Sequence, residues 1–353
     1  MKKFIYIIVI IICLFSCSKK SKQTNTIAVK NIDTYDMLFV EMKFDELVMF
    51  PKGCKVIDSV LIVFEPKLND GYLSFYSLNS KKLIKRFGVI GDGPCDFINP
   101  RFFQNYNFSD DEKSFLLGDT KYLYKLSLDS ILLGYSNCEN SIIKFIPFDA
   151  KGYNYVLHFS DSNLVVNVTG INQIEEFNQS ITEKKSRKYY NKIRGLNISD
   201  FVYSTQVYDG YYASYNDKTI IAYKNFKQID LIYSDGKIKN LRFPNFDSNV
   251  DKINKVNEKN VSFADNSLYF YSYVFTTSDY FFALCWNASR KEIKENKTHP
   301  EIHIFDWDGK LISILKPNIA IYYFCVDIEN SKIFAIGVTP DDEFGIYTCD
   351  MPL

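Results

Sequence analysis

The chain has 353 residues, 46% of them hydrophobic and 24% charged, and its 42 basic residues balance its 42 acidic ones. Six lysines precede Asp33, the first acidic residue, and removing them from the 42 leaves 36 basic residues against 42 acids. This acidic remainder excludes a nucleic-acid-binding protein, because that affinity rests largely on lysine and arginine at phosphates. The 26 tyrosines and 30 phenylalanines favour strands, since aromatic side chains pack well on half-buried sheets.

The N-terminus has the layout of a bacterial export signal. Two lysines precede an apolar run over residues 4–15, which is too short to span a bilayer comfortably. The end of this run, "LFSC" (14–17), resembles the lipobox of bacterial lipoproteins. The resemblance implies a signal peptide over residues 1–17 and lipidation of Cys17, and so a membrane partner. A plain signal peptide and an uncleaved anchor are the alternatives.

The segment after the lipobox, "SKKSKQTNTIAVK", is polar, basic and without periodicity. It predicts a flexible tether over residues 18–30, followed by one folded domain over residues 31–353. In lipoproteins of Gram-negative anaerobes, acidic residues after the cysteine tend to accompany surface display. Lysines stand there in this chain, which favours an outer-membrane lipoprotein of the cell envelope that faces the periplasm.

From Asp33 onward the chain alternates short apolar segments with turn residues. The segments are five to eight residues long and rich in β-branched and aromatic types, which predicts strands. Two stretches predict helices: 174–193, where apolar residues recur at helical spacing, and more weakly 251–259. Residues 287–300 read as a polar loop.

An internal repeat is the most informative feature of the sequence. "IYSDGKIKNLRFPN" (232–245) and "FDWDGKLISILKPN" (305–318) align without a gap, with the Asp-Gly-Lys turns in register. Residues 75–88 are a looser third copy and 124–134 a candidate fourth. Repeated antiparallel hairpins in an all-β chain predict a β-propeller of four-stranded antiparallel blades. Six blades fit the length best, and seven are the alternative.

Two motifs resemble a known family. "GVIGDGPCDFINP" (88–100) resembles the first-blade signature of the TolB-like six-bladed β-propeller lipoproteins of Gram-negative anaerobes, and "PEIHIFDWDGKLISILKPN" (300–318) is similar to their last blades. The resemblance implies the fold and a cell-envelope lipoprotein, but no activity. Cys95 and Asp96 stand where the family usually has Gly-Glu. We therefore single out Asp92 and Asp96 as candidate ligand-facing residues.

The glycine-rich loop itself does not predict a cofactor. Its order is G-x-x-G-x-G over Gly88, Gly91 and Gly93, and Pro94 follows where a dinucleotide fingerprint would start a helix. We interpret these four residues as a structural turn. The sequence predicts no cofactor.

No catalytic or metal-binding motif emerges from the remaining residues. The three histidines include "HPEIH" (299–303), in which a strand could place both rings on one face, but no metal site is predicted. Trp307 flanks a tight turn; it is either packed on a neighbouring blade or an exposed platform for a ligand. Six cysteines follow the signal and are expected to be free and buried: Cys54, Cys95, Cys138, Cys285, Cys325 and Cys349.

The sequence predicts a lipid-anchored binding or scaffold module without enzymatic activity, for a protein, peptide or glycan. One alternative is a glycan-processing lyase or hydrolase with His158 or His303 between two carboxylates at the channel mouth. The other is an envelope assembly partner of TolB-like role. We also expect the segment 37–44 to close the ring by pairing with residues 344–350.

Overall fold

The structure, a computed structural model, describes the greater part of the chain. The described residues are 23–27, 32–91, 93, 96–103, 105, 113–119, 122–134, 142–147, 153–160, 163–168, 173–178, 184–188, 193, 195–196, 207–233, 235, 237–255, 267–338 and 343–352. The predicted signal peptide with Cys17, and the loop residues Asp92 and Pro94, lie outside these ranges. Within them, no helix has both the length and the apolar character needed to cross a membrane.

The described chain begins with an N-terminal arm of three strands, β1 (Gln23–Thr26), β2 (Asp33–Met37) and β3 (Val40–Glu41). It then runs through sheets that we call blades 1 to 6 in chain order. Blade 1 contains β4 (Gly53–Ile57), β5 (Val60–Phe64), β6 (Leu73–Ser77) and β7 (Lys82–Phe87). The short strands β8 (Val89–Ile90) and β9 (Asp96–Phe97) follow it and pair with each other.

The middle of the chain forms three blades. Blade 2 contains β10 (Arg101–Phe103), β11 (Ser114–Gly118), β12 (Tyr122–Ser127) and β13 (Ile142–Pro147). Blade 3 contains β14 (Tyr153–Ser160), β15 (Asn163–Val168), β16 (Gln173–Asn178) and β17 (Lys184–Lys188). Blade 4 contains β18 (Gly210–Tyr215), β19 (Lys218–Tyr223), β20 (Gln228–Tyr233) and β21 (Ile238–Arg242).

The C-terminal part forms the last two blades. Blade 5 contains β22 (Leu268–Thr276), β23 (Tyr280–Ser289), β24 (Glu301–Asp306) and β25 (Leu311–Pro317). Blade 6 contains β26 (Ala320–Asp327), β27 (Lys332–Val338) and β28 (Phe344–Asp350), and β3 of the arm is its fourth strand. Within the described ranges, three short helices lie between strands: α1 (Leu128–Leu132), α2 (Val250–Lys255) and α3 (Arg290–Lys294).

The described strands thus form six blades of four antiparallel strands, and this confirms the all-β propeller with six blades rather than seven. The first strands of blades 3, 4, 5, 6 and 1 contact one another in that order, which places them around the central channel. The first and third strands run one way and the second and fourth the other. The turns within each blade after its first and third strands therefore share one face, which we call the turn face. The opposite face, where the chain passes between blades, is the crossover face.

The arm extends the outer edges of three consecutive blades. β1 adds a parallel strand to β21 of blade 4, β2 adds one to β25 of blade 5, and β3 pairs antiparallel with β28 of blade 6. The partner of Glu41 is Tyr347, and Met42 also donates its backbone N–H to Ile346. The prediction that the N-terminal segment closes the ring is therefore confirmed.

The predicted flexible tether over residues 18–30 is wrong for residues 23–27. An outer strand of a blade exposes unpaired backbone groups, and β1 satisfies those of β21. Ile27 donates its N–H to the carbonyl of Arg242 at 2.7 Å, and its side chain is buried in the core between blades 4 and 5. The folded domain thus begins by Gln23, before residue 31.

The duplicated hairpin occupies equivalent places in blades 4 and 5, where it joins the third and fourth strands. The backbone N–H of Tyr233 donates a hydrogen bond to the carbonyl of Lys237, and the N–H of Asp306 donates one to the carbonyl of Lys310 in the same way. Residues 75–88 form the corresponding hairpin of blade 1. The candidate fourth copy is wrong, because Ser127 ends β12 and caps α1, accepting a hydrogen bond from the Ser130 N–H.

The predicted helix over 174–193 is also wrong. The segment forms β16 and β17, and β16 is hydrogen-bonded to strands on both sides, so sheet pairing overrides the helical spacing of its apolar residues. The weaker helix prediction is confirmed at its start by α2. The polar loop at 287–300 contains α3, which the capping box of Ser289 and Glu292 stabilises.

Hydrophobic clusters fill the space between neighbouring blades. The largest joins blades 5, 6 and 1 with the arm, through side chains such as Phe39, Phe282, Phe324 and Leu61. The four cysteines that the structure describes, Cys54, Cys285, Cys325 and Cys349, are buried and are not in disulfides, as predicted for them; Cys95 and Cys138 lie outside the described residues.

Candidate functional site

The glycine loop between blades 1 and 2 has a structural role at Gly88. Its backbone has a φ of +82°, a region that favours glycine, and a Cβ there would collide with the ring of Tyr72. Gly88 also accepts a hydrogen bond from the Tyr72 N–H at 3.1 Å. The loop is therefore held by a close approach that no other residue type permits, which agrees with its interpretation as a structural turn.

Asp96 is hydrogen-bonded to its own loop. Its Oδ2 accepts a hydrogen bond from the Gly93 N–H at 2.9 Å, and its own N–H donates to the Gly93 carbonyl at 3.1 Å. A Cβ on Gly91 or Gly93 would collide with this carboxylate. The carboxylate therefore stabilises the turn, and the two glycines make room for it, while a ligand-facing role for Asp96 stays a prediction.

Trp307 is also not an exposed platform. Its ring is 8% exposed and stacks on Tyr215 of blade 4, with ring centroids 5.8 Å apart and an angle of 26°. The indole N–H donates to the carbonyl of Thr277 at 3.1 Å. The packed alternative is therefore correct, because the hairpin of blade 5 folds Trp307 back against blade 4.

Both partners of Trp307 line a cavity of about 550 Å³ on the turn face. Its described lining comes from five blades, at or near the turns between their first and second strands: Lys55–Asp58 of blade 1, Asn105 and Ser114 of blade 2, Ser214–Asn216 of blade 4, Phe275–Ser278 of blade 5 and Val326–Glu329 of blade 6. The cavity is therefore the mouth of the central channel. Concave sites of this size, with a few convergent polar groups, are common ligand sites.

The lining offers many short hydrogen-bonding groups. Hydroxyls and amides predominate: Asn105, Ser114, Ser214, Tyr215, Asn216, Thr276, Thr277 and Ser278. Carboxylates add negative charge, with Asp58 and Glu329 exposed and Asp327 half-buried. Apolar contact comes from residues such as Phe275 and Ile328. The site can therefore bind a polar, hydroxyl- or amide-rich ligand by many weak contacts.

Lys55 is the buried cation of the cavity wall. It lies on the first strand of blade 1, and the residue is only 6% exposed. Burial lowers its pKa from 10.5 to about 8, and the nearby Cys325 of blade 6 counteracts this in part. The side chain is therefore mostly protonated at neutral pH. It is a candidate anchor for an anionic or carbonyl group of a ligand.

Asn105 crosses the channel. It follows the first strand of blade 2, and its Nδ2 donates to the carbonyl of Val274 on the first strand of blade 5 at 2.8 Å. Blades 2 and 5 are three positions apart in the ring of six, so this hydrogen bond joins opposite walls. The Oδ1 of Asn105 is buried and accepts no hydrogen bond from the described residues. A ligand donor in the cavity is a suitable partner for it.

His303 does not contribute to this site. It is fully buried on β24, where Nδ1 lies 3.2 Å from the Tyr271 hydroxyl and Nε2 lies 3.1 Å from Glu301 Oε2. Burial lowers the pKa of His303, although the hydrogen bond to Glu301 opposes this; the same bond lowers the pKa of Glu301. His303 thus contacts one carboxylate and not two, and the described lining of the cavity does not include it.

The other histidines add no site. His299 is exposed, whereas His303 is buried, so "HPEIH" does not present two ligands on one surface. The side chain of His158 lies outside the described residues. Among the described side chains, no group of three or more potential metal ligands comes together.

The sequence does not predict the cavity residues, because they are far apart in the chain. One signal was available: Lys55 is a charge within the apolar strand "GCKVI", and a lysine at such a position is rarely buried without a role. The polar residues of the turns resemble ordinary turn residues. Only the ring of blades brings them together.

The fold and the channel-mouth cavity define a six-bladed β-propeller with a polar pocket on its turn face. A family model described as TolB-like 6-blade propeller-like matches residues 29–329. The chain therefore belongs to the TolB-like six-bladed propeller family. No curated protein is similar enough to match the chain.

Solved structures share the fold at low identity. A Bacteroides fragilis NCTC 9343 protein described as exported is 9% identical, with a TM-score of 0.56, over 93% of this chain and 99% of that one. A DUF4221 family member from Bacteroides vulgatus ATCC 8482 is 12% identical, with a TM-score of 0.50, over 89% and 94%. Virginiamycin B lyase from Staphylococcus aureus is 11% identical over 88% and 98%, but its TM-score of 0.47 carries no argument about activity.

Proposed function

We propose that this protein is a lipid-anchored binding module of the cell envelope, without enzymatic activity, that takes a narrow polar ligand into its turn-face cavity. The ligand is a peptide segment, free or within a protein, or a glycan chain. The observation that carries the proposal is the convergence of hydroxyl, amide and carboxylate groups from five blades on one cavity of about 550 Å³.

The chemistry of the lining supports a ligand rich in hydrogen-bonding groups. Peptide backbones and sugars both present alternating donors and acceptors, which short hydroxyl and amide side chains can match. Lys55 adds a cation at the wall, and Asp58 and Glu329 add anions at the mouth. The cavity admits a chain segment or a few sugar rings and not a folded domain. Binding therefore takes place through a protruding part of the partner.

The location at the envelope rests on separate support. The N-terminal sequence has the layout of a lipoprotein signal, and the Bacteroides fragilis neighbour is described as exported. We place the protein in the outer membrane with its domain in the periplasm. Labelling cells with a radioactive fatty acid tests this: the wild type should be labelled and a Cys17→Ala variant should not. Label on the variant would contradict the lipid anchor at Cys17.

The ligand proposal is tested with the purified full chain in detergent. It is screened on arrays of peptides and of glycans, and the affinity of each hit is measured by calorimetry. Asn105→Ala and Glu329→Gln should each weaken binding about tenfold, since a lost hydrogen bond costs on the order of 1.4 kcal/mol. Glu41→Gln is the matched control, because Glu41 is an exposed glutamate on the outer edge of blade 6.

Three results would contradict the proposal. Binding that none of the cavity variants changes would place the ligand elsewhere. Turnover of a bound glycan would favour the glycan-processing enzyme. Absence of any hit, together with a protein that co-purifies stably with the chain, would favour the envelope assembly partner.

A further inference from the structure

The N-terminal arm runs along the outer edge of blade 4 in a defined direction, from the turn face to the crossover face. β1 is parallel to β21, and Gln23 is paired with Lys239 near the start of that strand, while Thr26 is paired with Arg242 at its end. β21 begins after the turn at Asp235–Lys237, which lies on the turn face. Gln23 therefore lies at the turn-face end of the outer edge of blade 4, and the chain runs from there toward the crossover face.

The distance between this point and the candidate lipidation site is limited by chain length. Five residues separate Cys17 from Gln23. Six Cα-to-Cα steps of extended chain span at most about 20 Å. A folded domain of this size has a radius of gyration of about 20 Å, and so its diameter is larger than this reach. Blade 1 lies on the opposite side of the ring. The linker is therefore too short for blade 1 to lie close to the lipid anchor at Cys17.

The arm is fixed firmly enough to set an orientation. β2 pairs along its whole length with β25 of blade 5, and the carbonyl of Met37 accepts a hydrogen bond from Asn318 at 3.1 Å. Ile27, Met37 and Phe39 of the arm are buried in the core clusters. Any restraint on Gln23 is thus transmitted to blades 4, 5 and 6.

We infer that the propeller rests on the bilayer that holds its anchor with the turn-face rim of blades 4 and 5, and that blade 1 points away from the membrane. The partner of this surface is the layer of lipid headgroups. Lys19, Lys20 and Lys22 lie in the short linker, and lysines beside a membrane attract anionic headgroups. The inference rests on the proposed lipid anchor at Cys17.

The orientation also restricts how the ligand enters. The cavity opens on the turn face. The rim of this face at blades 4 and 5 is the part that lies at the membrane. Because blade 1 points away from the membrane, the bilayer does not cover this face, and a ligand enters the cavity from the side, beside the membrane surface.

The test uses the full, lipidated chain in vesicles of phosphatidylethanolamine and phosphatidylglycerol that contain nitroxide-labelled headgroups. A fluorophore is attached to one introduced cysteine, in a background that carries Cys95→Ser and Cys138→Ser. The three positions are Lys237→Cys at the blade 4 rim, Ser80→Cys at the turn of blade 1 on the same face, and Asn69→Cys on the crossover side of blade 1. All three native residues are exposed.

Fluorescence should be quenched at least twofold at position 237, and little at positions 80 and 69. A long glycine-serine insertion after Ser18 should reduce the quenching at position 237. Equal quenching at all three positions, or strongest quenching at position 69, would overturn the orientation. Flotation of the vesicles is measured in parallel: a chain that does not float has no anchor, which refutes both proposals, whereas a floating chain with uniform quenching refutes only the orientation.

Discussion

The indole N–H of Trp307 donates a hydrogen bond to the carbonyl of Thr277, and so the outer hairpin of blade 5 fixes a turn that lines the cavity. The ring of Trp307 also supports Tyr215 of blade 4 from behind. One buried side chain therefore positions cavity residues from two blades. It acts on the site without facing a ligand.

A Trp307→Phe variant tests this support. Phenylalanine keeps most of the apolar packing but leaves the Thr277 carbonyl without its donor, so we expect a loss of about 1–3 kcal/mol in the free energy of unfolding. Urea unfolding followed by circular dichroism measures it. The matched control is Trp286→Phe, which makes the same ring change at another buried position and loses a hydrogen bond to the Ser272 hydroxyl. The Trp307→Phe variant should also bind the ligand more weakly than the wild type, and an unchanged or tighter affinity would contradict the positioning role.

Two truncations separate the contribution of β1 from that of β2 and β3, the strands that continue the arm to ring closure. Removal of residues 1–32 takes away β1 and Ile27, and removal of residues 1–41 also takes away Met37, Phe39 and both remaining arm strands. Burial of a large apolar side chain is worth about 1.5–3 kcal/mol. The longer truncation should therefore be about 3–6 kcal/mol less stable than the shorter one in urea. Equal stability would show that β3 does not close the ring.

Gly88 and Gly134 form a matched pair, because both have a positive φ, of +82° and +72°. A Cβ at Gly88 would collide with Tyr72, whereas the nearest atom to a Cβ at Gly134 is Lys85 Nζ at 3.8 Å. Gly134→Ala should cost about 1 kcal/mol of backbone strain. Gly88→Ala should cost at least about 2 kcal/mol more, because overpacking is added. Thermal unfolding compares them, and similar losses would contradict the tight contact at Gly88.

The pKa of Lys55 makes stability depend on pH in a defined direction. Its pKa is about 8 in the folded protein and 10.5 when the side chain is solvated. Between these values the unfolded chain binds more protons than the folded one, so the contribution of Lys55 to stability rises with pH. Below pH 8 the contribution is constant.

Comparison with a Lys55→Met variant isolates this effect from other titrating groups. Between pH 8 and pH 10.5 the wild type should gain on the order of 3 kcal/mol relative to the variant. Urea unfolding at several pH values measures the difference, with Lys43→Met at an exposed position as the control. A difference that does not change with pH would mean that Lys55 is solvated in the folded protein.

The sequence predicted those features that local chemistry determines. The Asp-Gly-Lys hairpins of blades 4 and 5 were identified because their turns need particular residues, and two aligned copies gave the blade repeat. The helix at 174–193 failed because apolar spacing within one segment does not reveal that β15 offers it a pairing edge. Ile27 lies in a stretch whose composition predicts a linker. The stretch forms β1 because the outer edge of β21 offers it backbone hydrogen bonds.

Local sequence patterns could not predict the candidate site for a similar reason. Asn105 and Val274 are 169 positions apart, and nothing near either residue indicates that they meet across the channel. Asp96 was singled out because aspartate replaces the usual glutamate, but its shorter side chain reaches its own loop. The family resemblance predicted the ring, and it carried no information about which side chains face the channel.

The N-terminal arm also has a consequence for the order of folding during the export that we propose. A chain that crosses the membrane from its N-terminus delivers β1, β2 and β3 first, yet their partners lie in the last third of the sequence. Val40 must wait for Thr348, more than 300 residues later. Contacts of such long range are slow to form. β3 must therefore remain unpaired in the new compartment until almost the whole chain has crossed the membrane, and a secretion chaperone that recognises exposed strand edges would find its substrate there.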